Sequence, residues 1–533
     1  MDKKLVIYDA LLREGSQTQG ITLSVKDKLR LARVLDELGV HYIEGGWPGA
    51  NPKDDAFFRE ARKLKLKNSK LAVFGMTRRA RNKASKDPVL LHLVKAGTST
   101  VTIFGKSWDF HVDHTLRIGR DENLELIHDS VRFLKSRFDE MFYDAEHFFD
   151  GYRSNPEYAL KCLEAALQGG ADCLVLCDTN GGSLPEDIEA VVTRVGQRFP
   201  GAVLGIHCHN DSDLAVANSL AAVSAGAVQV QGCMNGYGER TGNVNLTSLL
   251  PDLALKYHRS FVRPIHLEKL TLASKQVDEI CNMHPRENAP YVSKSAFAHK
   301  AGVHISAVKK APRSYEHIDP EAVGNSRNLL MSDQAGLSVV LHQAENSRIR
   351  LGDKETARSV VDQVKKKENE GYQFEGAKAS FEILMKKALG RHRNFFDLVG
   401  FRVIVENRGD GKLLSEATVK VKVNGVMENT VGEGDGPINA LDQALRKALT
   451  KFYPSLQEVH LTDFKVRVLD AKEGTAAKVR VFFESRDAKD TWGTVGVSEN
   501  IIEASWEALV DSIDYKLLKD NPLRRKKSRR GGR

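Results

Sequence analysis

Short runs that are apolar almost throughout recur along the first part of the chain, at 5–9, 42–46, 71–77, 100–105, 141–147, 172–178, 203–209 and 228–234. Strands buried on both faces read this way. Between them lie stretches with apolar residues at helical spacing, such as Leu29, Ala32, Leu35 and Leu38. Ser24-Val25-Lys26-Asp27 opens that stretch with a capping-box pattern. Asn155-Pro156-Glu157 opens a later one with an N-cap residue, a proline at the first helical position and an early acid. Regular alternation of the two patterns predicts parallel βα units. Eight strands within the first 234 residues match the count and length of an α/β (β/α)8 TIM barrel. A doubly wound sheet is the alternative with the same local pattern.

The alternation stops near residue 275. Residues 276–390 read as helices and loops, with a charged helix at 353–367 and another at 381–389. From about 395 the pattern predicts strands at 402–406 and 417–423, a Gly-rich turn at 432–436 and a helix at 437–451 that starts on Pro437. It then repeats loosely, with strands at 464–469, 477–484 and 493–498 and a helix at 501–518. Two successive strands-then-helix units imply an α+β domain with internal pseudo-symmetry. The expected organisation is a barrel over 1–275, helical linker subdomains over 276–390, an α+β domain over 391–520 and a basic disordered tail over 521–533.

Composition narrows the class. With 41% hydrophobic and 28% charged residues, the chain is expected to be globular. No apolar run approaches the roughly 20 residues a membrane-crossing helix needs, and the N-terminal stretch is too short for a signal peptide. Six cysteines (162, 173, 177, 208, 233 and 281) form no CxxC pair, so reduced thiols in the cytoplasm are expected. The net charge of +9 suggests an anionic partner. Seven of those positive charges, however, sit between Arg524 and Arg533, and the remaining body carries +2. The cluster reads as a solvated tail, and neither nucleic acid nor membrane is expected as a partner.

The sharpest chemical signal is His207-Cys208-His209-Asn210-Asp211 at the end of the seventh strand. Residues i and i+2 of a strand share a side, so both imidazoles project together and suit a divalent transition metal. A pair of buried, hydrogen-bonded histidines is the alternative. Their position counts for the metal, because barrel enzymes carry catalytic groups at the C-terminal strand ends. Polar segments gather at equivalent ends: Asp9 to Gln17, Glu44 to Gly49, Asp144 to His147, Asp178 to Gly182, and Asn235 to Asn243. Arg240 is placed to meet a phosphate or to pair with Glu239 or another acid. Leu384-Met385-Lys386-Lys387 reads as an amphipathic helix, and the glycines at 432–436 lack a P-loop lysine arrangement.

Four segments together resemble the α-isopropylmalate/homocitrate/citramalate synthase family. They are Arg13-Glu14-Gly15-Ser16-Gln17, His207-Cys208-His209-Asn210, the Gly238-Glu239-Arg240-Thr241-Gly242-Asn243 loop, and Phe297 to His304. The resemblance covers nearly the whole chain. It implies a metal-dependent condensation of acetyl-CoA with an α-keto acid, followed by hydrolysis of the thioester. By resemblance Glu14, His207 and His209, with Asn243, hold the divalent metal (Mg²⁺, Mn²⁺ or Zn²⁺). Glu14 stands where an aspartate is usual in the nearest branch, although homocitrate synthases carry glutamate there. The resemblance gives Arg13 to the developing oxyanion, Gln17 and Thr179 with Arg13 to the keto acid, and Glu146 to catalysis. It makes His304, working with Tyr315, the base that takes the acetyl proton, with supply across a dimer interface as one arrangement. Glu44 to Gly49 and Thr494 to Ile502 are similar to the citramalate-forming branch. That similarity implies pyruvate as keto acid, isoleucine as effector of the C-terminal domain, and a homodimer. The alternatives are 2-oxoisovalerate or 2-oxoglutarate as keto acid, a cleaving acyl-CoA lyase or biotin-dependent carboxyltransferase, and a non-catalytic binding protein on a barrel.

Overall fold

The computed structural model describes residues 4–299, 302–329, 354–374, 376–407, 409, 413–469 and 477–520. The basic tail and Lys300 lie outside the described residues. Contacts divide the chain into two compact units, one of residues 1–297 with 317–328, the other of 298–316 with 329–533. Among the described residues no helix is long and apolar enough to cross a membrane.

In the first unit eight strands close into a barrel: β1 (Val6–Asp9), β2 (Tyr42–Glu44), β3 (Lys70–Met76), β4 (Thr100–Lys106), β5 (Glu140–Glu146), β6 (Cys173–Asp178), β7 (Leu204–Cys208) and β8 (Gln229–Gly232). β8 pairs in parallel with β1, which excludes the open doubly wound sheet. Helices cover the outside. In α1 (Val25–Leu38), Ser24 and Asp27 form the reciprocal cap that their spacing predicts, and Gly39 ends the helix at φ 93°. Leu31, Leu35 and Leu38 turn inward with no exposed area, each such burial contributing about 1.5–3 kcal/mol.

Because side chains alternate along a strand, every second residue enters the barrel. The inward set is Tyr8; Tyr42 and Glu44; Ala72 and Phe74; Thr100, Thr102, Phe104 and Lys106; Glu140, Phe142, Asp144 and Glu146; Cys173, Val175 and Cys177; Gly205 and His207; and Gln229 and Gln231. At the N-terminal end Glu140 accepts from Tyr42 (3.0 Å), Lys70 (2.8 Å) and Thr100 (2.8 Å), closing the floor with a satisfied polar plug. Towards the C-terminal ends the inward positions are dominated by charged, amide and imidazole groups. That end is therefore where chemistry can occur.

The second unit contains α2 (Gly302–Lys310), α3 (Lys354–Asn369) and α4 (Lys378–Ala388). Two three-stranded antiparallel sheets follow, each backed by a helix. The first is β9 (Asp397–Asn407), β10 (Leu413–Val423) and β11 (Val426–Gly434) with α5 (Pro437–Leu449). The second is β12 (His460–Val468), β13 (Val479–Arg486) and β14 (Thr491–Ser498) with α6 (Ile501–Asp520). The expectation of a glycine turn at 432–436 is corrected here: Gly432 and Gly434 end strand β11. A Cβ on Gly432 would lie 2.5 Å from the backbone nitrogen of Ala444, so the glycine lets α5 approach the strand. The tripeptide Thr430-Val431-Gly432 recurs as Thr494-Val495-Gly496, where a Cβ on Gly496 would meet Ala504 O of α6 at 2.0 Å. Thr430 donates to Ala444 O (2.7 Å), and Thr494 donates to Ala508 O (2.8 Å). The pseudo-symmetry is thus built into the way each helix is clasped to its sheet.

Candidate active site at the barrel mouth

Arg13 follows β1, and its guanidinium is held on three sides. Nη1 donates to Glu14 Oε2 (2.5 Å), Nε donates to Glu44 Oε1, and the plane stacks on Phe74 with Cζ 3.7 Å from the ring centroid. Glu44 is fully buried and also accepts from Tyr8 Oη at 2.6 Å. Burial alone would make Arg13 easier to deprotonate, but Glu44 and then Glu14 outweigh it and keep the cation charged. Burial likewise opposes ionisation of Glu14, yet Arg13 beside it holds that carboxyl down at about 2.

Cys177 of β6 pairs in register with His207, and His207 with Gln231 of β8. The His207 and His209 rings lie 5.2 Å apart between centroids, on one side as the spacing predicts. Burial lowers the pKa of both, His209 to about 3 with help from the neighbouring His207. Both rings are therefore neutral at physiological pH and keep a lone pair for a cation. Asn243 reaches the same place through a backbone bridge to His209. Gly238 makes room for it, since a Cβ there would lie 2.1 Å from Asn243 Nδ2.

His209 Nδ1 and the Asn243 amide oxygen are buried without hydrogen-bond partners, while the Asn243 NH₂ faces Glu14. Such atoms normally find one. Glu14 is turned to Arg13, and among the described residues no three His, Cys, Asp or Glu side chains close on one point. The donor chemistry still fits a divalent cation: two neutral imidazoles, an ionised carboxylate and an unpartnered amide oxygen. Those unpartnered atoms are the structural mark of the fit.

Glu146 ends β5 and ion-pairs with Lys106, its register partner on β4. Thr179 follows β6, and its Oγ1 accepts from His147 N at 2.9 Å. Gln17 is exposed at the end of a short 3-10 turn. His304 and Tyr315 belong to the second unit, where both are exposed and their rings stack at 4.1 Å. In the same unit His299 meets Glu316 at 3.2 Å. Arg240 is an internal ion-pair residue: it contacts Asp211 at 2.7 and 2.8 Å and donates to Thr179 O at 2.7 Å.

The supports are the residues to which sequence reasoning gave no role: Glu44 and Asp144 stood only among the polar strand-end segments, and Lys106 and Gln231 were not singled out. Glu44, Lys106, Asp144 and Gln231 all occupy inward positions at the C-terminal half of the strands. Their sequence signal was a polar residue in phase with its neighbours inside an apolar run. Trp47, Phe74 and Phe104 pack together with centroids 5.7–6.0 Å apart, forming an aromatic wall beside Arg13.

The HMGL-like family profile matches residues 4–277, the homocitrate synthase post-HMGL domain-like profile 291–371, and the LeuA allosteric (dimerisation) domain profile 375–517. An (R)-citramalate synthase of Geobacter sulfurreducens is 55% identical over 519 residues, covering 97% of this chain and 98% of its own. Another from Aquifex aeolicus is 54% identical, covering 98% and 99%. A 2-isopropylmalate synthase of Clostridium kluyveri is similar at 29% identity, covering 96% and 97%. With an HMGL-like barrel at its head and matches of this strength along nearly its whole length, the chain belongs to the citramalate synthase branch of the HMGL-like family.

Proposed function

We propose that the protein condenses acetyl-CoA with pyruvate and water to give citramalate and CoA. The observation that carries the reaction type is the gathering of Arg13, Glu14, His207, His209 and Asn243, all shielded from solvent, at the C-terminal mouth of the barrel. Glu14, His207, His209 and Asn243 would hold the divalent cation, which when bound supplies Lewis-acid polarisation of the keto carbonyl. Arg13 is a fixed cation in a nearly dry site and offers its charge where an oxyanion develops. Thr179 has one oxygen lone pair taken by His147 N–H, which leaves its hydroxyl hydrogen to donate to the keto-acid carboxylate. Gln17, exposed beside that mouth, is assigned a further substrate contact. Glu146, oriented by Lys106, is assigned to proton handling at the reacting carbons. The base for the acetyl proton is assigned to His304, whose ring Tyr315 braces by stacking.

The (R)-citramalate synthases at 55% and 54% identity support pyruvate as the keto acid, against 29% for a 2-isopropylmalate synthase. The wall of Trp47, Phe74 and Phe104 supports it too, because three aromatic rings beside Arg13 favour the smallest side chain. The test is CoA thiol release with pyruvate, 2-oxoisovalerate and 2-oxoglutarate, each with and without EDTA. Release with pyruvate alone, abolished by EDTA, is expected. Release with another keto acid but not pyruvate overturns the substrate, and insensitivity to EDTA overturns the metal.

The C-terminal domain is assigned to a homodimer with feedback by isoleucine. Its edge strands β9 and β12 expose Val399, Val405, Phe464 and Val468, which suits burial against a second copy. A cavity of about 410 Å³ lined by Ile438, Leu461, Phe464, Phe483 and Ile501, with Asp442 and Arg446 on its wall, suits an apolar amino acid. Domain limits of 1–275, 276–390 and 391–520 accompany this reading. The free state of all six cysteines supports a reducing, cytoplasmic setting.

A further inference from the structure

His207 does not stand alone in the barrel. Its Nδ1 lies 2.9 Å from Gln231 Oε1, and Gln231 Nε2 reaches across the barrel to Asp144 Oδ1 at 3.0 Å. The same Nε2 lies 3.4 Å from Gln229 Oε1. All four side chains are buried. An amide takes its orientation from its surroundings, and here the contact with Asp144 sets it. In the structure the NH₂ end of the Gln231 amide faces Asp144, whose carboxyl burial pushes up to about 8 and whose carbonyl oxygen accepts, and it lies near Gln229 Oε1. The other end is then the carbonyl, which can only accept. With its carbonyl end facing the ring, Gln231 pairs with a His207 Nδ1 that carries a hydrogen, and the neutral ring keeps its lone pair on Nε2.

We propose that Gln231 is a positioning residue: held in one sense by Asp144 and Gln229, it fixes His207 as the Nδ1–H tautomer and offers Nε2 to the divalent cation. This rests on the metal-binding reading of the same site. An imidazole whose far nitrogen donates to a fixed acceptor keeps its ring orientation and is the more basic ligand. The register makes the arrangement rigid, since Gln231 lies between His207 on β7 and Tyr8 on β1. The site therefore depends on a residue that approaches neither substrate nor cation.

Two measurements test it. In the unsubstituted, metal-free protein labelled with ¹⁵N-histidine, the His207 resonances, assigned by their loss in His207→Gln, should show a protonated Nδ1 and an unprotonated Nε2. The opposite tautomer overturns the proposal, whether or not any variant folds. Binding of Mn²⁺ alone is then measured by calorimetry on the full-length protein. Gln231→Leu should weaken it by about 10- to 100-fold and leave the His207 tautomer mixed. The D144N/Q231E double variant exchanges carboxylate and amide, keeps an acceptor facing Nδ1, and should restore most of the affinity. Mn²⁺ affinity within twofold of the unsubstituted protein in Gln231→Leu refutes the role of Gln231. Failure of the unsubstituted protein to bind Mn²⁺ refutes instead the metal reading beneath it.

Discussion

Glu44→Gln isolates one charge at the centre of the site. Glu44 accepts from Tyr8 Oη and from Arg13 Nε. A glutamine can keep its oxygen on Arg13, which cannot accept, and turn its NH₂ to Tyr8 Oη. The tyrosine hydroxyl then donates to Thr102 Oγ1, 3.0 Å away. Hydrogen bonding is nearly conserved, so the substitution removes chiefly the negative charge. Truncating one partner of a buried ion pair costs about 3–5 kcal/mol. Here Arg13 keeps Glu14 as a second anion, so a loss of about 2–3 kcal/mol of barrel stability is expected. Arg13 then leans wholly on Glu14, the carboxylate assigned to the cation. If the same 2–3 kcal/mol must be given up when Glu14 turns to the cation, Mn²⁺ affinity falls by about 50-fold at about 1.4 kcal/mol per decade. Urea unfolding of the barrel and Mn²⁺ calorimetry read the two effects, and CoA release at saturating Mn²⁺ reports any remaining displacement of Arg13. An unchanged unfolding midpoint together with Mn²⁺ affinity within twofold of the parent would refute the reasoning.

Gly238→Ala should weaken Mn²⁺ binding at least 10-fold with little change in secondary structure, because its Cβ would lie 2.1 Å from Asn243 Nδ2; unchanged affinity would free Asn243 of its assigned role. Lys28 and Asp54 form a buried pair, and Asp54 also accepts from Trp47 N at 2.9 Å. Lys28→Met should cost about 3–5 kcal/mol and raise the KM for pyruvate by loosening the Trp47 loop, and a variant with unaltered stability and KM would contradict this. In the C-terminal domain burial would raise the pKa of Asp487, but the hydrogen bond from Lys516 (2.8 Å), with the Lys489 and Asp490 amides, holds it at about 2. A carboxyl depressed on folding stabilises above its unfolded value near 4 and loses that contribution as pH falls towards 2. Asp487→Ala should therefore cost about 2 kcal/mol at pH 7 and much less near pH 2.5, measured by hydrogen exchange in β13 and α6; a pH-independent difference would show that the charge does not matter.

Local pattern was enough for the alternating strands and helices of the barrel and for part of its chemistry. Apolar runs, capped amphipathic helices and the i, i+2 parity of His207 and His209 are short-range properties. They survive from sequence to structure because neither propensity nor parity depends on distant partners. The C-terminal units were legible in the same way, except for β11. Its polar and glycine-rich end reads as a turn until α5 is seen packed on Gly432, a contact that only the folded domain supplies.

Which side chains meet inside the barrel could not be read along the chain. Glu44 is 31 positions from Arg13, and Gln231 is 87 from Asp144. Their meeting depends on strand register and on closure of β8 onto β1, which bring facing strands across one interior. Arg240 shows the same dependence, since the neighbouring Glu239 is a weaker partner at 3.4 Å than the distant Asp211 at 2.7 Å. The sequence by itself determined the eight βα units, the polar groups at their strand ends and the paired imidazoles, because these follow from periodicity; closure of β8 onto β1 was decided by the tertiary structure. Tertiary structure alone decided which carboxylate holds Arg13 and which amide orients His207, because burial makes each of those groups seek a partner that only a closed barrel brings within reach.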